Sequence, residues 1–250
     1  MLFRSALQEI AQGWRDDSKT LPYLKQRSTS DKNYVVKIAI LQEMARGWRD
    51  DPSILPLLKN LAESDAQEQT QIAALQEIAK GWHDNLGTFS YLLDQARSDS
   101  SYSVRRVALI ELANGWHNEN DAEVFGLLRD RVLNDPFKRE RDHQKCPREA
   151  ALEAIIRYYP NHPLTLPLLR RIARNEMDEK MRKLAEKTLA SAEAERSKMD
   201  EKTPKFVEEV LTSADPGTQK LKVVKNDSDE KMPKSAQTDV EKLKEELKNL

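Results

Sequence analysis

Cysteine is almost missing: Cys146 is the only one in 250 residues. A single thiol closes no internal disulfide, so the fold rests on burial and hydrogen bonding, and the compartment expected is the reducing cytoplasm. Glycine is scarce as well, with seven residues. Three of them, Gly87, Gly126 and Gly217, stand alone, which excludes the clustered glycines of a phosphate-binding loop or a dinucleotide fingerprint. No apolar run approaches the roughly 18 residues that span a bilayer, so no membrane partner is expected. Residues 1–9 lack the basic-then-apolar order of a secretory signal. Neither sign of charge is in excess: 41 basic and 42 acidic residues leave −1, with no global pull toward nucleic acid. Ser, Asp and His occur without a glycine turn to present a nucleophile, so neither catalysis nor a cofactor is expected. With 38% hydrophobic and 33% charged residues, the composition suits helices around a thin core.

The other four glycines each precede a tryptophan: Gly13-Trp14, Gly47-Trp48, Gly81-Trp82 and Gly115-Trp116. Successive Trp are 34 residues apart, and a fixed period of that size marks a repeat array. The most regular part of the unit is Ala-Leu-Gln-Glu-Ile-Ala-x-Gly-Trp, at 6–14 and 74–82. Leu75, Ile78, Ala79 and Trp82 fall at i, i+3, i+4 and i+7, one apolar face of a helix. Gln76, Glu77, Lys80 and His83 are then expected to be wet. Asp51-Pro52 reads as a cap and first residue of the next helix. Pro22, Pro56 and Pro167 then lie inside that helix and are expected to bend it. Polar turns follow that helix at Ser30-Asp31, Ser64-Asp65 and Ser98-Asp99, and each unit ends near its Trp or Tyr159.

A fifth, drifted copy carries Tyr159 at the Trp position, 43 residues after Trp116. Most of the nine-residue excess falls in 134–147, the one long loop. A last helix is expected near 178–190, from Met181, Leu184, Ala185 and Leu189. The domain reading is therefore a solenoid over 1–190 and a charged, disordered tail over 191–250. Within the tail, Val240, Leu243, Leu247 and Leu250 have the spacing of a short helix over 239–250.

An interior proline in the first helix of a pair, and Asp followed six residues later by a basic residue, resemble HEAT repeats. The pairs are Asp31 with Lys37 and Asp99 with Arg105, with Glu176 and Arg182 as a variant. Asp135 and Arg148 are split by the insertion, and in one copy Asp65 meets Gln71 instead. The resemblance implies an all-α, right-handed α–α superhelix of about five helix pairs. The Gly-Trp-(Arg/His)-(Asp/Asn) ending and the stretch 158–169 look like the C-terminal HEAT arrays of bacterial NACHT-type signalling NTPases. That implies a non-catalytic scaffold or sensor that binds a protein, such as an NTPase signalling protein. The chain opens on a second helix, 2–14, and Leu2, Phe3 and Leu7 offer no polar cap. A detached C-terminal part of a longer protein, or an N-terminal face that docks an upstream domain or partner, is the expectation. Another class of HEAT-like protein, the bilin lyase and isomerase subunits, is the alternative. Nucleic-acid binding through the basic loop 137–148 is a lesser one.

Trp14, Trp48, Trp82, Trp116 and Tyr159 are expected in the core at unit junctions, with Trp82→Ala more damaging than Trp14→Ala. Glu9, Glu43, Glu77 and Glu111 share one position on the wet side of the second helices. Glu43 with Arg46 and Glu77 with Lys80 can pair within a helix turn. This column, Glu43, Arg46, Glu77, Lys80 and Glu111, is one candidate partner surface. An acidic column repels phosphate, so nucleic acid is not its partner. Arg139, Arg141 and Arg148 of the inserted loop are the other candidate. His143 and Cys146 supply two metal ligands where a structural zinc needs four, so no metal is expected. His83 and His117 read as surface substitutions of Arg15 and Arg49.

Overall fold

The computed structural model describes residues 9, 13–141 and 144–194. By internal contacts the chain divides into Met1–Arg196 and Ser197–Leu250. The second unit, with the helix expected at 239–250, lies outside the described residues, as does the helix expected at 2–14 apart from Glu9, Gly13 and Trp14. The described residues are helical throughout, with no strand among them. The helices are α1 Thr20–Ser30, α2 Tyr34–Gly47, α3 Ile54–Ser64, α4 Glu68–Gly81, α5 Leu86–Ser98, α6 Tyr102–Trp116, α7 Asp121–Asn134, α8 Pro147–Tyr158 and α9 Thr165–Asn175. A tenth, α10, covers 179–194.

Each odd helix lies against the even helix that follows it, from α1 with α2 to α7 with α8. The even helices α2, α4, α6 and α8 form a row in which each touches the next. This is a helical, repeat-like architecture. The central helix α4 serves both sides. Its Ala74 and Ile78, with Trp82 just past its end, join an apolar cluster that reaches back to Leu24. Its Leu75 and Ala79 join a second cluster that runs on to Ala185.

The helix starts differ from the sequence expectation by two residues. Asp51-Pro52 is a turn, not a cap. The Asp51 carboxylate accepts the Ser53 N–H at 2.9 Å, and helix α3 begins at Ile54. Pro22, Pro56 and Pro167 are consequently the third residues of α1, α3 and α9. A helix's first-turn N–H groups have no partner in the helix, so proline there removes no hydrogen bond and bends nothing.

The hairpin turns repeat one device. Asp31, Asp65, Asp99 and Asp135 each follow a first helix, and each accepts the backbone N–H two residues on, at 2.7–3.0 Å. Glu176 does the same for Asp178 at 3.1 Å. Lys37, Arg105 and Arg148, read from the sequence as partners of these acids within one copy, carry their ion pairs into the next copy, while Arg182 pairs with Glu186 of its own helix. Lys37 Nζ donates to Asp65 at 2.5 Å. Arg105 Nε and Nη2 fork onto Asp135 at 2.8 and 2.9 Å, while its Nη1 donates to the Asp99 carbonyl at 2.8 Å. Arg148 donates to both Glu176 oxygens. These bridges clip successive hairpins together.

The chain of bridges breaks once. Gln71 donates to the Asp65 carbonyl at 2.8 Å, and no ion pair joins residue 71 to Asp99 among the described residues. Gln71→Arg is expected to supply the missing fork. A charge-assisted hydrogen bond contributes about 1.5–3 kcal/mol, of which desolvation takes back a part. We expect a melting temperature higher by about 2–4 °C, the shift for roughly 1 kcal/mol in a domain this size. An unchanged or lower melting temperature would show that position 71 is not equivalent to 105.

Trp82, Trp116 and Tyr159 are buried, at 9, 3 and 5% exposure, and Trp48 is half-buried. Trp14 is not the core residue expected: it is 62% exposed. Trp116 is covered by His83, in the turn after α4, stacked at 4.3 Å, and by Phe89 of its own partner helix α5, tilted at 6.0 Å. Counted back in steps of 34, the places of His83 and Phe89 are Arg15 and Leu21 for Trp48.

Candidate interaction surfaces

The row of even helices carries the glutamate column. Glu9 is exposed, but the other members are not on the wet side expected. Glu43 is buried, its side chain 7% exposed, and ion-paired with Arg46. Glu77 and Glu111 are half-buried. Helices side by side in a row cover each other's flanks, so residues outside the main apolar stripe also lose water. Burial raises the Glu77 carboxyl above the usual range, against the opposing charge of Lys80. Burial raises Glu111 too, opposed by a hydrogen bond from Gln76 and by Lys80, and reinforced by the charge of Glu77. The Gln76 amide donates to Glu111 at 3.3 Å, tying α4 to α6. Arg46 and Lys80 keep exposed side chains at the edge of this row. In the fifth copy Ala154 takes the glutamate place, so the column ends at Glu111.

The histidines are structural rather than surface substitutions. Both nitrogens of His83 face acceptors, the Gly115 carbonyl and the Asp84 carboxylate, each at 3.1 Å. These two hydrogen bonds, the Gly115 one foremost, hold the imidazolium pKa above its ordinary value. His117 lies 4.5 Å from the Tyr158 ring, and His162 stacks on Phe125 at 3.6 Å. No periodicity signal in the sequence marks these contacts, because each histidine lies in the turn after one helix and meets a ring on a different helix.

Of the three arginines expected in the inserted loop, Arg139 and Arg141 follow α7 in the described part of the loop, whereas Arg148 is the second residue of α8. Arg139, with a side chain 6% exposed, is ion-paired with Glu149 and has Nε 3.3 Å from Asp178. Its Nε and Nη1 are buried and donate no hydrogen bond among the described residues. Arg148 is held by Glu176 and by the Val132 carbonyl at 2.9 Å. Arg141 is exposed and forms no ion pair among the described residues. Cys146 is buried, and burial pushes its thiol pKa up. His143 lies outside the described residues. No group of three His, Cys, Asp or Glu side chains among the described residues is placed to hold a metal ion.

Between this loop and the turn from α9 to α10 lies a cavity of about 790 Å³. Phe137, Lys138, Arg139 and Arg141 line it from the loop, and Met177, Asp178 and Lys183 line it from the opposite wall. The structure thus brings the loop candidates together with residues near 180 that the sequence did not connect with them. It does not bring them to the glutamate column. No helix among the described residues is long and apolar enough to cross a membrane. No family model, curated protein or solved structure matches the chain.

Proposed function

We propose that the chain is a non-catalytic protein-interaction module, a HEAT-like right-handed solenoid whose row of second helices binds a cationic segment of a partner protein. The observation that supports it is Glu77 and Glu111, two half-buried carboxylates at matched positions of neighbouring second helices, each with its pKa raised by burial first, Glu111 further by the charge of Glu77, and with Lys80 as the cation that opposes both. A fold has no need of such a pair. A lysine or arginine from a partner relieves it. The resemblance to NACHT-associated arrays makes the NTPase part of such a signalling protein the expected partner.

The sign of the effect is definite. A carboxyl whose folded pKa lies above its unfolded value, about 4.3 for Glu, contributes stability only below that value. The contribution is lost as pH rises through the folded pKa, so at neutral pH both groups weaken the free protein. Glu77→Gln/Glu111→Gln is therefore expected to raise the melting temperature of the free protein at pH 7 by a few degrees. It is also expected to weaken binding of an oligolysine peptide by about tenfold, since each lost charge pair at an interface is worth about a kcal/mol or more. A lower melting temperature together with unchanged peptide binding would remove the reading. The same double variant, titrated against a purified NTPase partner, tests the signalling context.

A further inference from the structure

The cavity beside the inserted loop has no place in the 34-residue period. It exists because the loop, 135–146, is added between α7 and α8 and folds against the turn that leads into α10. Insertions in repeat arrays commonly build a binding face. The chemistry of this cavity is two-sided. One part is cationic, with Lys138 and Arg141 exposed at the rim and without ion pairs among the described residues. Arg139 sits in the wall, paired with Glu149 and Asp178 yet with Nη1 lacking any hydrogen-bond acceptor. Of the carboxylates in the opposite wall, Glu176 is taken by Arg148, Asp178 by Arg139 and Glu179 by Lys183. On the loop side Glu140 offsets one of the two cations without ion pairs among the described residues, Lys138 and Arg141, so the local charge left over is positive by one. The other part is apolar: Met177 is 94% exposed in the opposite wall, and Phe137 faces the same space. A polarizable, unbranched methionine in a cleft is a common means of gripping varied apolar side chains.

The wider surroundings carry the same sign. Residues 137–190 contain 13 Lys and Arg against 8 Asp and Glu, a net of +5, whereas residues 1–136 contain 16 against 20, a net of −4. An anionic ligand is thus steered to this end of the array and away from the glutamate column.

We propose that this cavity is a second docking site, for a short acidic peptide segment of a partner protein in which a carboxylate lies next to an apolar side chain. The carboxylate is received by Lys138 and Arg141 at the rim and approaches the unfilled donor of Arg139. The apolar side chain rests on Met177 and Phe137. A peptide fits better than a nucleic acid because the one aromatic ring in the lining, Phe137, is half-buried and already stacked on Tyr102 at 4.1 Å, which leaves no row of free rings to stack on successive bases. A volume of about 790 Å³ accommodates two or three peptide side chains.

The test uses the full chain and a fluorescein-labelled peptide of alternating glutamate and leucine, read by anisotropy. Controls are the same peptide with lysine for glutamate, one with serine for leucine, and a single-stranded oligonucleotide of equal charge. We expect the glutamate–leucine peptide alone to bind with saturation. Lys138→Glu/Arg141→Glu is expected to weaken it by about tenfold or more, and Met177→Asp by several-fold. Lys138, Arg141 and Met177 are exposed, so the variants should keep the helical circular dichroism of the parent, and Arg49→Glu, also exposed but far along the chain, should bind as the parent does. No binding of the peptide, or binding untouched by the rim reversal, overturns the proposal. Equal binding of the serine peptide removes the apolar half of the site, and equal binding of the oligonucleotide with the same dependence on Lys138 and Arg141 reassigns the surface to nucleic acid. None of these outcomes depends on the glutamate column, so this site and the proposed one at Glu77 and Glu111 stand or fall separately.

Discussion

Arg105→Ala is expected to lower the unfolding free energy by about 3–5 kcal/mol, the range found when one partner of a buried ion pair is removed. Arg105 and Asp135 have side chains 7 and 0% exposed, and the guanidinium makes two parallel hydrogen bonds to the carboxylate. A third donor, Nη1, serves the Asp99 carbonyl. Truncation leaves Asp135 buried and charged, with the Phe137 N–H at 3.0 Å as its remaining donor. Most of the loss is that stranded charge, not the net strength of the pair. The double variant Arg105→Ala/Asp135→Ala should therefore recover a part of it, and the two single losses should not add. Arg105→Lys keeps the charge but not the fork, and its loss should fall between. Urea unfolding of the four proteins decides: additive losses, or a single loss below about 1 kcal/mol, would show the bridge to be incidental.

The bridge also shows what the sequence could and could not reveal. Asp99 and Arg105 are six residues apart and look like a pair. The ion pair instead spans 30 residues, because the guanidinium lies between two hairpins: Nε and Nη2 meet the Asp135 carboxylate of the next one, while Nη1 reaches only the Asp99 backbone carbonyl of its own turn. The helical period and the Gly-Trp count identified the copies, the turns and the apolar stripe. They could not show that a helix flanked on both sides in a row buries residues beyond its stripe, which is why Glu43 is buried where a wet position was expected. Asp51-Pro52 suits a turn and a helix start equally well, so only the observed Ser53 hydrogen bond separates them. Of the candidate surfaces, the loop arginines were visible as an excess of charge, while their company with Met177 and Asp178 depends on where the α9–α10 turn lies in space.

The same dependence on neighbours governs the tryptophans, and it yields a contrast between residues that the sequence makes look equivalent. Trp116→Ala should cost about 3–5 kcal/mol, the range for emptying a buried aromatic site. Its ring is 3% exposed, stacked on His83 and beside Phe89, and it belongs to the larger apolar cluster. Trp82→Ala, at 9% exposure in the smaller cluster, should come close behind. Trp14→Ala, at 62% exposure, should stay within about 0.5 kcal/mol of the parent, as surface substitutions usually do. His83→Ala separates packing from charge. With His83 absent, Trp116 loses its stacked cover, and the Gly115 carbonyl loses its donor. Because His83 has a raised pKa, the stability that it contributes is full below its unfolded value, about 6.5, and declines as pH rises through the folded one. The destabilisation by His83→Ala should then be larger at pH 6 than at pH 9, while that of Trp116→Ala should change far less. Chemical unfolding of both variants at the two pH values gives the answer. A Trp14→Ala loss as large as that of Trp116→Ala would show that the difference in exposure between the two rings does not set their contributions.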